Sequence, residues 1–134
     1  MKITAVKTLM LHNPEAPQVQ DGTIPPLKPG AKGRNQLFVH VETDEGITGL
    51  GMNSGVPATR TIIDGAFQDL LIGQDPFDTE KLWNDMYWRV RGYGRKGVAI
   101  EAIAAVDIAL WDLKGKAVGK PLHKLLGGMR EKGT

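Results

Sequence analysis

The chain opens on a two-residue alternation. Ile3, Ala5, Leu9 and Leu11 fall on one side of it, and Thr4, Val6, Thr8 and Met10 on the other. That period predicts a β-strand, with Lys7 carrying its charge at an end or rim. The pattern then vanishes: residues 12–34 hold five prolines and three glycines without any period. So long a loop inside a compact domain is uncommon and is usually functional or mobile. Alternation returns with Leu37, Val39 and Val41 against Phe38, His40 and Glu42. Thr43-Asp44-Glu45-Gly46 then leads into Ile47, Thr48 and Leu50. Gly46 can supply the positive φ that a short hairpin turn needs. The expected result is a three-stranded antiparallel sheet.

From Pro57 onward the period is helical. Ile62, Ile63, Ala66, Phe67, Leu70 and Leu71 form one stripe, ended by Gly73. Asp78 is placed to cap the next helix, whose buried face should be Leu82, Trp83, Met86, Tyr87 and Val90. A glycine-broken basic loop, RGYGRKG, precedes a long helix from about Val98 to about Val118. Pro121 opens a last short turn ending at Gly127-Gly128. The long helix is apolar almost all the way round in its first half, so it needs neighbours on every side. The fold class predicted is α+β: a β-meander followed by a bundle of three to four helices.

Composition narrows the function. At 134 residues the chain is one domain, and 41% apolar with 24% charged residues is ordinary for a globular protein. A net charge of +2 is too small to imply nucleic acid or an acidic membrane surface. There is no cysteine, which removes disulfides, thiolate nucleophiles and cysteine-ligated metals. The start, MKITAVKTLML, is interrupted by Lys7 and two threonines and lacks a small-residue cleavage site, so it does not read as a secretion signal. With no run long enough to span a bilayer, the expected compartment is the cytoplasm.

The candidate chemistry is sparse. On the long helix, Asp107 and Asp112 lie roughly 140° apart and Glu101 and Asp107 roughly 120°, so they cannot chelate one metal together. Asp112 and Lys116 have the favourable acid-first i, i+4 spacing. Asp107, surrounded by Ala104, Ala105, Val106, Ile108 and Leu110, should be partly buried and paired structurally. The three histidines show no ligand spacing. His12, at the opening of the long loop, is the one that suits a substrate contact. Arg89, Arg91, Arg95 and Lys96, interleaved with Tyr87, Trp88 and Tyr93, superficially resemble a nucleic-acid surface; with a net charge of only +2, cations favoured at a helix C-terminus and in a solvated loop account for them better. No nucleotide-binding, serine-nucleophile or zinc-protease motif occurs. No catalytic residue and no metal ligand is therefore assigned.

The run GRKGVAIEAIAAVDIALWDLKGKAVGKPLHKLLGG resembles the end of the N-terminal domain of the enolase superfamily, in its mandelate racemase and muconate-lactonizing branch, especially the acid-sugar dehydratases. The hairpin V-x-T-D-E-G-I-T-G-L-G resembles it as well. The resemblance implies a capping domain over residues 1–128, with 129–134 beginning a linker to a (β/α)₈-type barrel that this chain lacks. In such enzymes the barrel removes a proton α to a carboxylate and binds the Mg²⁺; none would be bound by this chain. The cap supplies two loops over the substrate, here residues 12–34 and the stretch Gly51-Met52-Asn53-Ser54. The substrate-binding candidates so implied are His12, Arg34, Asn53 and Ser54, with Arg34 suited to a carboxylate. The implied partners are a sugar acid or related carboxylate and further copies of the chain, with no nucleic acid and no membrane. The other reading is a non-catalytic oligomerisation or interaction module.

Overall fold

The computed structural model describes residues 1–17 and 30–128. Three strands come first: β1 (Ile3–Pro17), β2 (Lys32–Thr43) and β3 (Thr48–Ser54). They form one antiparallel sheet in the order β1-β2-β3. Helices follow: α1 (Pro57–Ile62), a π-helical turn (Ile63–Phe67), α2 (Gln68–Leu71), α3 (Thr79–Arg89), a 3₁₀ turn (Arg91–Tyr93), α4 (Val98–Ala117) and α5 (Leu122–Leu125). The architecture is the expected α+β meander with a helical layer on one face.

The faces of β1 differ from the alternation read in the sequence. Ile3 pairs with Thr43 but Ala5 with Glu42, so β1 carries one extra residue there. A bulge of this kind reverses which side chains point inward. Ile3 and Val6 are both buried, whereas Leu9 and Leu11 are exposed. The helix-facing row after the bulge is Val6, Thr8 and Met10, opposite Val41, Val39 and Leu37 of β2. Loop 12–34 also contains strand residues: His12 pairs with Asn35, Asn13 with Arg34 and Pro17 with Lys32. Pro14 and Pro17 are tolerated because β1 is an edge strand. Residues 18–29, the rest of that loop, lie outside the described residues, as do 129–134.

The core is held by α4. Ala102, Ile103, Ala105, Val106, Ala109, Leu110 and Leu113 are fully buried against Leu37, Val39 and Val41 from the sheet and Ile63, Phe67, Leu71, Leu82 and Met86 from the other helices. The helix that is apolar all round therefore has neighbours within this chain. Its closest approach is to β3. A Cβ added at Gly49 or Gly51 would overlap the backbone carbonyl oxygen of Ala109 or Ala105, respectively. Glycine on the strand and alanine on the helix together permit that contact. At the turn between β2 and β3, Gly46 has φ +77°, as the hairpin predicted.

Two polar side chains of α4 then close the outer edge of the sheet. The Leu50 N–H donates to Asp112 Oδ2 at 2.8 Å, and Lys116 Nζ donates to the Thr48 carbonyl at 2.8 Å. Asp112 and Lys116 also pair with each other at 2.6 Å. Their i, i+4 spacing was legible; their service to free backbone groups of an edge strand was not.

Two helix expectations are corrected. Asp78 occupies the N-cap position of α3 without a side-chain capping bond. With φ −77° and ψ 46°, its backbone is outside the extended region from which a cap side chain reaches back. Asp75 instead accepts from the Phe77 N–H at 2.9 Å, in the turn before it. Trp83 is not part of the buried face of α3: Leu82, Met86 and Val90 are buried, but Trp83 is 37% exposed and stacks on Tyr87 at 5.2 Å.

Candidate functional site

The four residues suggested as substrate contacts separate into two pairs at one end of the sheet. His12 and Arg34 sit on the paired ends of β1 and β2, and both help line an open cleft of about 530 Å³ floored by Leu11 and Phe38. His12 Nδ1 lies 2.7 Å from Asn35 Oδ1. That oxygen only accepts, so an Nδ1–H donates to it and Nε2 is left to face the cleft. Arg34 is exposed, and its side chain makes no hydrogen bond or ion pair with the described residues. Its planar, permanently charged fork is suited to a carboxylate. The cleft thus combines an apolar floor, a guanidinium and an imidazole.

Asn53 and Ser54 are used differently. Asn53 Nδ2 donates to the Glu101 carbonyl at 2.9 Å, and Ser54 Oγ donates to Glu101 Oε2 at 2.9 Å. Asn53 Oδ1 also accepts from the Ser54 N–H at 2.6 Å, while Gln36 Nε2 donates to the Asn53 carbonyl at 2.7 Å. These bonds pin the exit of β3 to the start of α4. Asn35 joins the two pairs, since its side chain meets His12 and its carbonyl accepts from the Gly55 N–H at 3.2 Å. Sequence reasoning weighed Glu101 only as a metal ligand and passed over Asn35. Strand pairing brings Asn35 to His12, and no local spacing announces it.

Among the described residues Asp107 is the one acid that the fold perturbs. It borders a second cleft with Glu80, Trp83 and Trp111. Burial raises its pKa, the neighbouring Glu80 raises it further, and Lys114 acts in the opposite direction. The structural hydrogen bond expected for it does not form. Lys114 Nζ is drawn instead to Thr79 Oγ1 at 3.1 Å and over the Trp111 ring at 4.6 Å. For an acid with a raised folded-state pKa, the folded state binds more protons than the unfolded one. Stability is then fullest below the unfolded value and falls as pH rises through the folded one. Asp107→Asn is therefore expected to raise Tm at pH 7 and to have no stabilising effect near pH 3. A calorimetric Tm for both chains at the two pH values checks this; a lower Tm for the variant at pH 7 would contradict it.

Among the described residues no three His, Asp or Glu side chains gather as a metal site. Asp112 and Glu101 are committed to backbone and hydroxyl donors. These residues do not fit the Mg²⁺ of the implied enzyme class, and no chemical step is placed on a metal here. Nor is any helix among them long and apolar enough to cross a membrane.

A β-meander packed on a long helix, with His12 and Arg34 at the end of the sheet away from the Gly46 turn, defines an α+β domain of the enolase N-terminal type. Comparison with known proteins agrees. The chain belongs to the mandelate racemase / muconate lactonizing enzyme N-terminal domain family, whose model matches residues 29–127. It is 37% identical over 128 residues to D-galactarolactone cycloisomerase of Agrobacterium fabrum, covering 96% of this chain and 32% of that one. It is 45% identical over 106 residues to D-mannonate dehydratase of Rhizorhabdus wittichii, covering 75% of this chain and 26% of that one. A racemase from Streptomyces coelicolor A3(2), solved with bound magnesium, superposes with a TM-score of 0.79 at 36% identity, covering 93% of this chain and 35% of that one. The chain thus spans about a third or less of the length of the relatives it matches.

Proposed function

We propose that this domain caps the active site of an enolase-superfamily enzyme that removes the proton α to the carboxylate of a sugar acid or a related acid. It contributes specificity, and the reaction itself, with its Mg²⁺, belongs to a barrel joined through residues 129–134. The carrying observation is the unpaired Arg34 beside His12 in one cleft, where a guanidinium and an imidazole can receive carboxylate and hydroxyl groups. Dehydration, cycloisomerisation and racemisation all begin with this proton abstraction, and the relatives' names cover all three. The reading carries two partners, a small sugar acid and further copies of the same chain, working in the cytoplasm.

The test is kinetic, on a complete enzyme carrying this domain ahead of its barrel. Arg34→Ala is expected to raise KM for the sugar acid about tenfold or more, as loss of a charged contact does, with kcat changed much less. The 134-residue chain alone, supplied with Mg²⁺, is expected to turn over no sugar acid. An unchanged KM, or turnover by the isolated chain, would overturn the proposal.

A further inference from the structure

The outward stripe of α3 runs from acid to base. Glu80, Trp83, Asn84, Tyr87, Trp88 and Arg91 recur at three- and four-residue intervals, which places them on one side of the helix. The core side of the same helix is Thr79, Leu82, Met86 and Val90. The 3₁₀ turn continues the helix, with the Tyr93 N–H donating to the Val90 carbonyl at 2.8 Å, and so carries Arg91 on from α3. The middle of the stripe is aromatic: Trp83 stacks on Tyr87, Tyr87 meets Trp88 edge-on at 5.8 Å, and Trp88 is 51% exposed. Arg95 lies over both the Tyr87 and Trp88 rings at 5.4 and 5.5 Å and holds them in place.

Both ends are electrically incomplete. The side chains of Glu80 and Arg91 enter no hydrogen bond or ion pair among the described residues, and both are exposed. Glu80 also borders the cleft that holds Asp107, so two carboxylates face it. A face with an unpaired acid at one end, an unpaired base at the other and exposed indoles between them is complementary to its own copy turned end for end. The positions fit that operation. In an antiparallel pairing centred between Asp85 and Met86, Glu80 opposes Arg91, Trp83 opposes Trp88 and Asn84 opposes Tyr87.

We propose that two copies of this chain dock through this face, α3 against α3 about a two-fold axis, with Arg91 of each reaching the Glu80–Asp107 cleft of the other. Such an isologous contact makes each complementary pair twice. Tryptophan, tyrosine and arginine are also the side chains that dominate interface energies. The stripe is about 16 Å long, which places the contact at the small end of specific interfaces. The dimer is accordingly a concentration-dependent equilibrium. The inference rests on the self-association part of the proposed function; the substrate part is tested separately by turnover.

Sedimentation equilibrium on the 134-residue chain and on surface variants of the stripe tests it, with circular dichroism confirming that each variant folds. The wild type should show a monomer–dimer equilibrium. Glu80→Arg and Arg91→Glu should each weaken it about tenfold or more, since each turns both symmetry-related charge pairs repulsive. An equimolar mixture of the two single variants should regain dimer, because each then supplies the charge the other lacks. The double variant E80R/R91E should also return to near wild-type affinity. A wild type that stays monomeric at about 1 mM, the weak limit of specific association, assigns the face to another occupant and overturns both self-association and this surface. Dimers indifferent to the α3 variants but dissolved by Leu50→Lys would place the contact on the open sheet face. That result, or a mixture that fails to regain dimer, overturns this proposal alone.

Discussion

Gly51→Ala is expected to be among the most destabilising single substitutions in this domain, with a sharp fall in its urea midpoint. The new methyl would lie inside the contact radius of the Ala105 carbonyl oxygen, with the Ala109 nitrogen at 2.9 Å. The obstacle is helix backbone, so no side-chain rotation relieves it. Relief requires moving α4, and α4 carries much of the core, with Ile103, Val106 and Leu110 fully buried along it. Overpacking costs about 1–3 kcal/mol where neighbours can adjust, and more where they cannot. A loss of about 3–5 kcal/mol here consumes much of the stability of a domain this size. Gly65→Ala is the internal control. Nothing lies within 4 Å of its added Cβ, so it should be neutral or stabilising by up to about 1 kcal/mol. Urea denaturation followed by circular dichroism compares the two. A Gly51→Ala chain within about 1 kcal/mol of wild type would show that the sheet and α4 are not in this contact.

Phe67→Ala is expected to be comparably damaging through loss of packing. Phe67 heads the fully buried side chains by size and is 0% exposed. It ends the π-helical turn between α1 and α2, where Ile63, Ala66 and Phe67 are all buried. Truncation loses the transfer free energy of the ring and leaves a cavity that surrounding backbone cannot fill, together about 3–5 kcal/mol. The urea midpoint should fall with the m-value unchanged. Phe77→Ala serves as the comparison: Phe77 is 37% exposed beside Lys114, and its loss should cost less than half as much. Equal losses at the two positions would mean that Phe67 is not a packing centre.

Both predictions concern residues whose types were visible in the chain but whose importance was not. The G-L-G of the hairpin stood out in the sequence as part of a resemblance. Its physical reason, the closeness of β3 to Ala105 and Ala109, appears only when residues more than fifty positions apart are brought together. The stripe from Ile62 to Leu71 was legible as helical, and the π turn that aims Phe67 inward was not. Among the site residues, His12 and Arg34 meet in one cleft because β1 and β2 pair across positions 13 and 34. Asn53 and Ser54, drawn from the same reasoning, are engaged with Glu101 of α4. Local sequence shows that these are polar residues near a loop. It does not show which of them the helical layer will claim.

Local pattern by itself determined the order of elements, the hairpin turn at Gly46, the extent of the long helix and the Asp112–Lys116 pair, because each depends on residues within a few positions of one another. It also determined the family, through the run leading to Gly127-Gly128 and the hairpin before it. Only the tertiary structure decided which side of β1 faces the core, since one extra residue at the bulge reverses every later side chain. It alone left Asp107 without a hydrogen bond, because Lys114 is drawn to Thr79 and Trp111 instead. And it alone set Arg34 free while tying Asn53 and Ser54, because burial and pairing are properties of surroundings that the chain assembles from distant residues.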